Sequence, residues 1–136
     1  MKYLEILPQD RQLVQAAIDV IRTGYREERH SVGAAVLCSS GKIYTGVNVE
    51  SCGYGPCAEP IAIGAAFSQA DRELVTMVAV GGWNQRYPLL PPCGNCRQLL
   101  WDYAPEASVI LEKDGQLIKV KIGDLLPMAY RFFYDE

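Results

Sequence analysis

Long apolar runs, basic clusters, internal repeats and low-complexity tracts are all missing from this sequence. No apolar stretch approaches the ~18 residues that a bilayer-spanning helix needs, so no membrane partner is expected. Lys and Arg occur singly or in scattered pairs such as Arg26 and Arg29, and the formal net charge is −3. That balance gives little purchase on a phosphate backbone and excludes long nucleic acid from the expected partners. The opening MKYLEILPQDRQ has one early lysine and is soon interrupted by Glu5, Pro8 and Asp10, which makes a poor secretory leader. A soluble, cytoplasmic chain is the expectation.

What is present fits one globular domain, 1–136, with 49% hydrophobic and 21% charged residues around a core of useful size. Five cysteines cannot all pair within one chain, and in a reducing compartment Cys-x-x-Cys reads as metal or redox chemistry.

Leu13, Val14, Ala17, Ile18 and Ile21 share one helical face and predict an amphipathic helix over 9–24, ended by Gly24. Residues 32–37 and 42–48 read as strands, and CSSG between them suits a tight reversal, so an antiparallel hairpin is expected. The alanine-rich AEPIAIGAAFSQA predicts a helix over 57–70, with Pro60 tolerated in its first turn. A buried strand is predicted over 74–80, then a Pro-rich loop and a helix over 93–103. Residues 108–111 and 118–121 read as strands turned by Lys113-Asp114-Gly115, and IGDLLPMAYRFFYDE as a short helix with an aromatic end. This order predicts a mixed sheet covered by helices, a class in which ligands gather beyond strand ends near helix starts.

Two motifs stand at such starts, GPCAEP at 55–60 and PPCGNCRQ at 91–98. Cys57, Cys93 and Cys96 offer zinc three ligands, and a catalytic site leaves the fourth position to water. Free N–H groups and the partial positive charge at a helix N-terminus stabilise thiolates. Three thiolates still leave the centre net negative, which opposes ionisation of the water, so a cation is wanted nearby; Arg97 is the candidate. Glu59, just after Cys57, is placed to carry the water's proton. One rival is a closed structural site with Cys52 as fourth ligand, which would make the chain a non-enzymatic zinc-binding module held by four cysteines. It leaves Glu59 and the long interval between the thiol pairs unexplained. The other rival, a redox pair of Cys93 and Cys96, has no use for the third thiol. Cys38, in the hairpin, reads as an inert thiol, buried or partly so.

Together these residues resemble the small zinc-dependent cytidine deaminases, including their blasticidin S deaminase branch, a class that joins P-C-x-x-C zinc ligation to a glutamate acid and base. The likeness runs from VGAAVL through GVNVES, GPCAE and PCGNCRQLL to LLPMAY. It implies a three-layer α/β/α sandwich with a mixed five-stranded sheet, one Zn²⁺ per subunit on Cys57, Cys93 and Cys96, and hydrolytic deamination of a free cytosine nucleoside. Cytidine or deoxycytidine is the substrate implied, with a modified nucleoside such as blasticidin S as the alternative. The resemblance gives Glu59 the proton transfers to N3 and to the departing amine. It gives Asn48 and Glu50 the ribose hydroxyls, and the Ala58 backbone the base edge. Small members are usually homotetramers with shared active sites, which places Tyr130 near the next subunit's base, with Phe132 and Phe133 nearby; read without the resemblance, this tail is core packing or a subunit contact.

Some positions depart from that pattern. Pro60 stands where cytidine deaminases commonly have an arginine that bonds the zinc thiolates, which leaves that charge to Arg97 and the helix ends. The turn from Glu50 to Cys57 has the shorter length of the blasticidin S branch; that branch lacks the ribose glutamate, yet Glu50 is here. His30 stands where cytidine deaminases place a phenylalanine against the base. It either flanks the base or lies on the surface, and three thiols leave it no place on the metal. Trp83 and Tyr87, in the loop before PPC, either wall the pocket or pack in the core or loop.

Overall fold

Proline has no N–H to lose in a first helical turn, and α1 begins on one: in the computed structural model, which describes residues 1–131, it spans Pro8–Gly24. The Asp10 carboxylate reaches back to accept the Leu7 N–H at 2.8 Å and secures that entrance. β1 (Val32–Cys38) and β2 (Ile43–Val47) form the expected antiparallel hairpin. Then come α2 (Ala58–Ser68), β3 (Leu74–Gly81), α3 (Gly94–Tyr103), β4 (Ser108–Lys113) and β5 (Gln116–Lys121). Asp114 at φ 52° and Gly115 at φ 77° make the two-residue turn from β4 to β5, the left-handed pair that strand twist favours.

The sheet order is β2-β1-β3-β4-β5, with β3 and β4 parallel and the other neighbours antiparallel. Because side chains alternate across a strand, β1 feeds two cores. Ala35 and Leu37 face Leu13, Ala17 and Ile21 of α1, while Ala34 and Val36 join Ala58, Ala62 and Ile63 of α2 and Leu100 of α3. The result is the expected α/β/α sandwich, with α1 on one face and α2 and α3 on the other.

Two glycines set how closely the helices ride. A Cβ on Gly33 would lie 2.5 Å from the Ala17 carbonyl oxygen of α1, and one on Gly46 would lie 2.6 Å from the Ala62 nitrogen of α2. The second contact fixes the height of α2 on the sheet, and with it the entrance that carries Cys57 and Glu59.

The tail corrects the sequence reading. Among the described residues only Ile122–Leu125 forms a helix there, a single 3-10 turn, and residues 126–131 are non-helical. The cause is Pro127, which disfavours helical backbone at Leu126, found at φ −146° and ψ 65°. Phe132 and Phe133 lie outside the described residues. A feature unforeseen in the sequence ties the ends together: Lys119 Nζ of β5 pairs with the fully buried Asp10 at 2.7 Å, and Leu4 N–H donates to the Lys119 carbonyl at 2.7 Å. Breaking such a buried pair from one side costs about 3–5 kcal/mol.

Candidate active site

Both thiol motifs fall at the end of the sheet where β1 begins and β2 and β3 finish. Cys57 is the residue before α2 and Cys93 the residue before α3, each in extended backbone. Cys96 lies in the first turn of α3 and is buried. The Cys57 and Cys93 sulfurs are 3.7 Å apart, those of Cys93 and Cys96 3.5 Å, and all three lie within 4.8 Å of one another. Sulfurs bound tetrahedrally at ~2.3 Å from zinc stand about 3.8 Å apart. The trio therefore has the spacing and the donor chemistry that zinc takes. Cys52 is exposed and, like His30, stands outside this group, so the closed four-cysteine site lacks its fourth ligand among the described residues.

The thiols differ in acidity. Burial pushes Cys93 up, but N–H groups of Cys96 and Asn95 and the neighbouring thiols more than reverse this and leave it below the ordinary thiol value. Cys57 is raised, first by burial and then by its contact with Cys93. Burial and the adjacent Glu59 charge raise Cys96 further still. A bound dication opposes these increases by favouring every thiolate. Cys38, at the far end of β1, is pushed up to about 11 by burial and by Asp71, and is the inert thiol expected.

Glu59 is 5% exposed, and its Oε1 accepts from Cys96 Sγ at 3.6 Å. Burial raises its carboxyl above the usual range against the pull of its own N–H and of the Cys96 thiol. A carboxyl so placed holds a proton more readily than a solvated one, which suits it to proton transfer.

Glu59 and two of the thiols open into a cavity of about 250 Å³ shared with Ser31, Asn48, Glu50, Ala58, Leu90 and Pro91. Asn48 is buried, and its Oδ1 accepts from the N–H groups of Ser31 at 2.7 Å and Val32 at 2.9 Å. With the oxygen so committed, Nδ2 is turned to donate to Glu50 Oε2 at 2.9 Å. His30 is not among the cavity's lining residues; its Nδ1 meets the Asn48 carbonyl at 2.8 Å.

Arg97 departs from its expected task. Its Nε donates to the Pro92 carbonyl at 2.7 Å and its guanidinium to the Leu125 carbonyl at 2.9 Å, so it braces the residue before Cys93 instead of reaching a thiol. Tyr130 is exposed, with its carbonyl accepting from Gln98 at 3.0 Å, and does not line the cavity. Trp83 and Tyr87 do not wall it either: the Trp83 ring lies over Gly81, and Tyr87 packs on the α1 side of the sheet. Leu90 and Pro91 from the same loop take that place, and Ser31 was also missed. The sequence signal for Pro91 was its position ahead of the Pro92-Cys93 step; Ser31 carried none.

A metal-dependent hydrolase is the class this frame defines: a thiolate centre at two helix entrances, an acid and base beside it, and a small-molecule cavity in front. Comparison with known proteins makes it specific. Residues 7–112 match the family model described as the cytidine and deoxycytidylate deaminase zinc-binding region. The chain is 37% identical over 142 aligned positions to a blasticidin-S deaminase of Bacillus cereus, covering 96% of this chain and 98% of that one. It is 35% identical to a cytidine deaminase of Halalkalibacterium halodurans, covering 89% and 94%. Its fold superposes on the crystal structure of cytidine deaminase from Mycobacterium leprae with a TM-score of 0.76 and 31% identity, covering 90% of this chain and 100% of that one. The protein from Burkholderia pseudomallei gives 0.73 and 32%, covering 88% and 98%. The chain belongs to the cytidine and deoxycytidylate deaminase family, and it is a zinc-dependent deaminase.

Proposed function

We propose that this deaminase acts on a free cytosine nucleoside, cytidine or deoxycytidine, releasing the uracil nucleoside and ammonia. The observation that carries this reading is the buried Glu59 carboxyl 3.6 Å from Cys96 Sγ, at the wall of a cavity that also holds the Asn48–Glu50 pair. Cys57, Cys93 and Cys96 would hold zinc, which would supply the Lewis acidity that readies a water for attack on C4. Glu59 takes one proton of this water and delivers it to N3 of the base, then takes the second from the hydroxyl left on C4 and passes it to the amine as the C4–N bond breaks. Water's oxygen replaces nitrogen at C4, so the products are a carbonyl and ammonia.

Asn48 Nδ2 and the Glu50 carboxylate bind the sugar, since together they donate to and accept from a diol. The backbone at Ala58 reads the base edge. The lining includes two carboxylates, Glu50 and Glu59, and no Lys, Arg or His among the described residues. A wall so charged disfavours a 5′-phosphate, which supports a nucleoside over a nucleotide. Tyr130, exposed on one subunit, serves a neighbour's site in a cytoplasmic homotetramer.

A second reading, a blasticidin-S-type aminohydrolase, rests on the 37% identity to such an enzyme over nearly both whole chains. Ammonia release from cytidine, deoxycytidine and blasticidin S by the purified zinc protein separates the two. Turnover of the plain nucleosides is expected; turnover of blasticidin S alone moves the assignment to the second reading. Glu50→Ala should raise KM for cytidine roughly tenfold at unchanged zinc content, and an unaltered KM would detach Glu50 from the sugar.

A further inference from the structure

We propose that His30 is a positioning residue, which holds the Asn48–Glu50 pair in place through a single hydrogen bond and never touches the substrate. The inference rests on the reading of this cavity as a nucleoside site.

A tight turn presents the ring. Arg26 N–H donates to the His30 carbonyl at 2.9 Å, and His30 N–H returns to the Arg26 carbonyl at 2.8 Å. Glu28, between them, takes the left-handed φ of 66° that closes the turn. His30 is thus fixed at both backbone groups, just before β1 begins.

The ring nitrogen Nδ1 then meets the Asn48 carbonyl at 2.8 Å. A carbonyl oxygen only accepts, so Nδ1 carries the hydrogen and donates it. Asn48 follows the last residue of β2, and its N–H still reaches the Val32 carbonyl of β1, at a long 3.3 Å. Its side chain is oriented by the Ser31 and Val32 N–H groups, while its carbonyl belongs to the peptide that joins it to Val49, the residue before Glu50. The other bonds on this segment are longer: 3.1 Å from the Val49 N–H of the same peptide to the Pro56 carbonyl, 3.2 Å from the Glu50 N–H to the Arg29 carbonyl, and 3.4 Å from the Arg29 guanidinium to the Glu50 carbonyl. His30 therefore supplies the shortest restraint on the peptide that aims the Glu50 carboxylate. A slack peptide there loosens the grip on the sugar and leaves Glu59 and the thiols alone.

The test uses the zinc-loaded enzyme with His30→Phe, which keeps a ring and removes the donor, and His30→Asn, whose amide restores a donor near Nδ1. For His30→Phe, KM for cytidine should rise about tenfold with kcat within about twofold. The inhibition constant of 2′,3′-dideoxycytidine, which lacks the hydroxyls that the pair grips, should stay within about twofold. His30→Asn should bring KM for cytidine back toward wild type. An unchanged KM in His30→Phe, an equal rise in the dideoxy inhibition constant, or a KM in His30→Asn as poor as in His30→Phe overturns the proposal. If His30→Phe does not fold, the His30→Asn comparison with wild type decides alone. Wild-type enzyme inert toward every cytosine nucleoside sinks the functional reading and this inference with it; normal wild-type turnover with insensitive variants sinks this inference only.

Discussion

Cys57 and Cys93 each cap a helix in nearly the same backbone geometry, φ −65° and ψ 168° against φ −69° and ψ 172°, yet one thiol is raised and the other lowered. Part of the difference lies three residues further on, beside the burial and the thiol–thiol contact that raise Cys57. A cap side chain draws on the N–H groups of the second and third helical positions. In α3 these are Asn95 and Cys96, and both act on the Cys93 sulfur. In α2 they are Glu59, whose N–H serves its own carboxylate, and Pro60, which has no N–H. Pro60 thus leaves Cys57 without the donors its twin enjoys. The comparison teaches that a helix entrance stabilises a thiolate only through particular N–H groups, and that these can be withdrawn one residue at a time.

The largest expected effect comes from the group between the two entrances. Glu59→Gln should lower kcat roughly a hundred- to ten-thousand-fold while elemental analysis still finds zinc; an active variant would falsify the proton role. Disturbing the α3 side comes next. Arg97→Ala frees the Pro92 carbonyl ahead of Cys93 and should weaken zinc affinity about 10- to 100-fold in a chelator competition, and wild-type retention would show the brace to be dispensable.

Disturbing the α2 side should act in the opposite direction. Pro60→Ala returns an N–H to the third position and should slow zinc loss to the chelator by roughly threefold, with a faster loss counting against the account of the asymmetry. The smallest effect is a control at the other end of the sheet. Asp71 accepts from Ser40 Oγ at 2.6 Å and from Tyr44 OH at 2.9 Å, and the Ser40 bond is the main cause that holds its carboxyl below the usual range. A depressed carboxyl contributes stability above its unfolded value of about 3.9 and loses it as pH falls through the folded value. Asp71→Asn should flatten the acid limb of the thermal-unfolding profile below about pH 4 and leave zinc content and KM unchanged. An acid limb identical to wild type removes Asp71 from the account.

What the sequence disclosed and what it concealed follow the reach of the interactions. The two helix entrances, the hairpin reversals and the cluster of three thiols were legible because Pro60, Gly41, Asp114-Gly115 and Cys-x-x-Cys act over a few residues. Arg97 was misread because its partner Leu125 is 28 residues away, and proximity to Cys96 in the chain says nothing about where a long side chain points. Trp83 and Tyr87 stayed open between pocket wall and packing for a related reason: an aromatic in a loop can lie over a glycine or fill a core, and only the packed sheet decides. The Asp10–Lys119 pair spans 109 residues and left no local trace.

That pair has a practical meaning for anyone who shortens the chain. β5 is the outermost strand, and Leu4 meets it through the bond to the Lys119 carbonyl while Asp10 neutralises the Lys119 ammonium. Cutting away the first ten residues would unfasten a clasp and bare a strand margin with an unpaired charge behind it, an invitation to sideways stacking of one molecule on another.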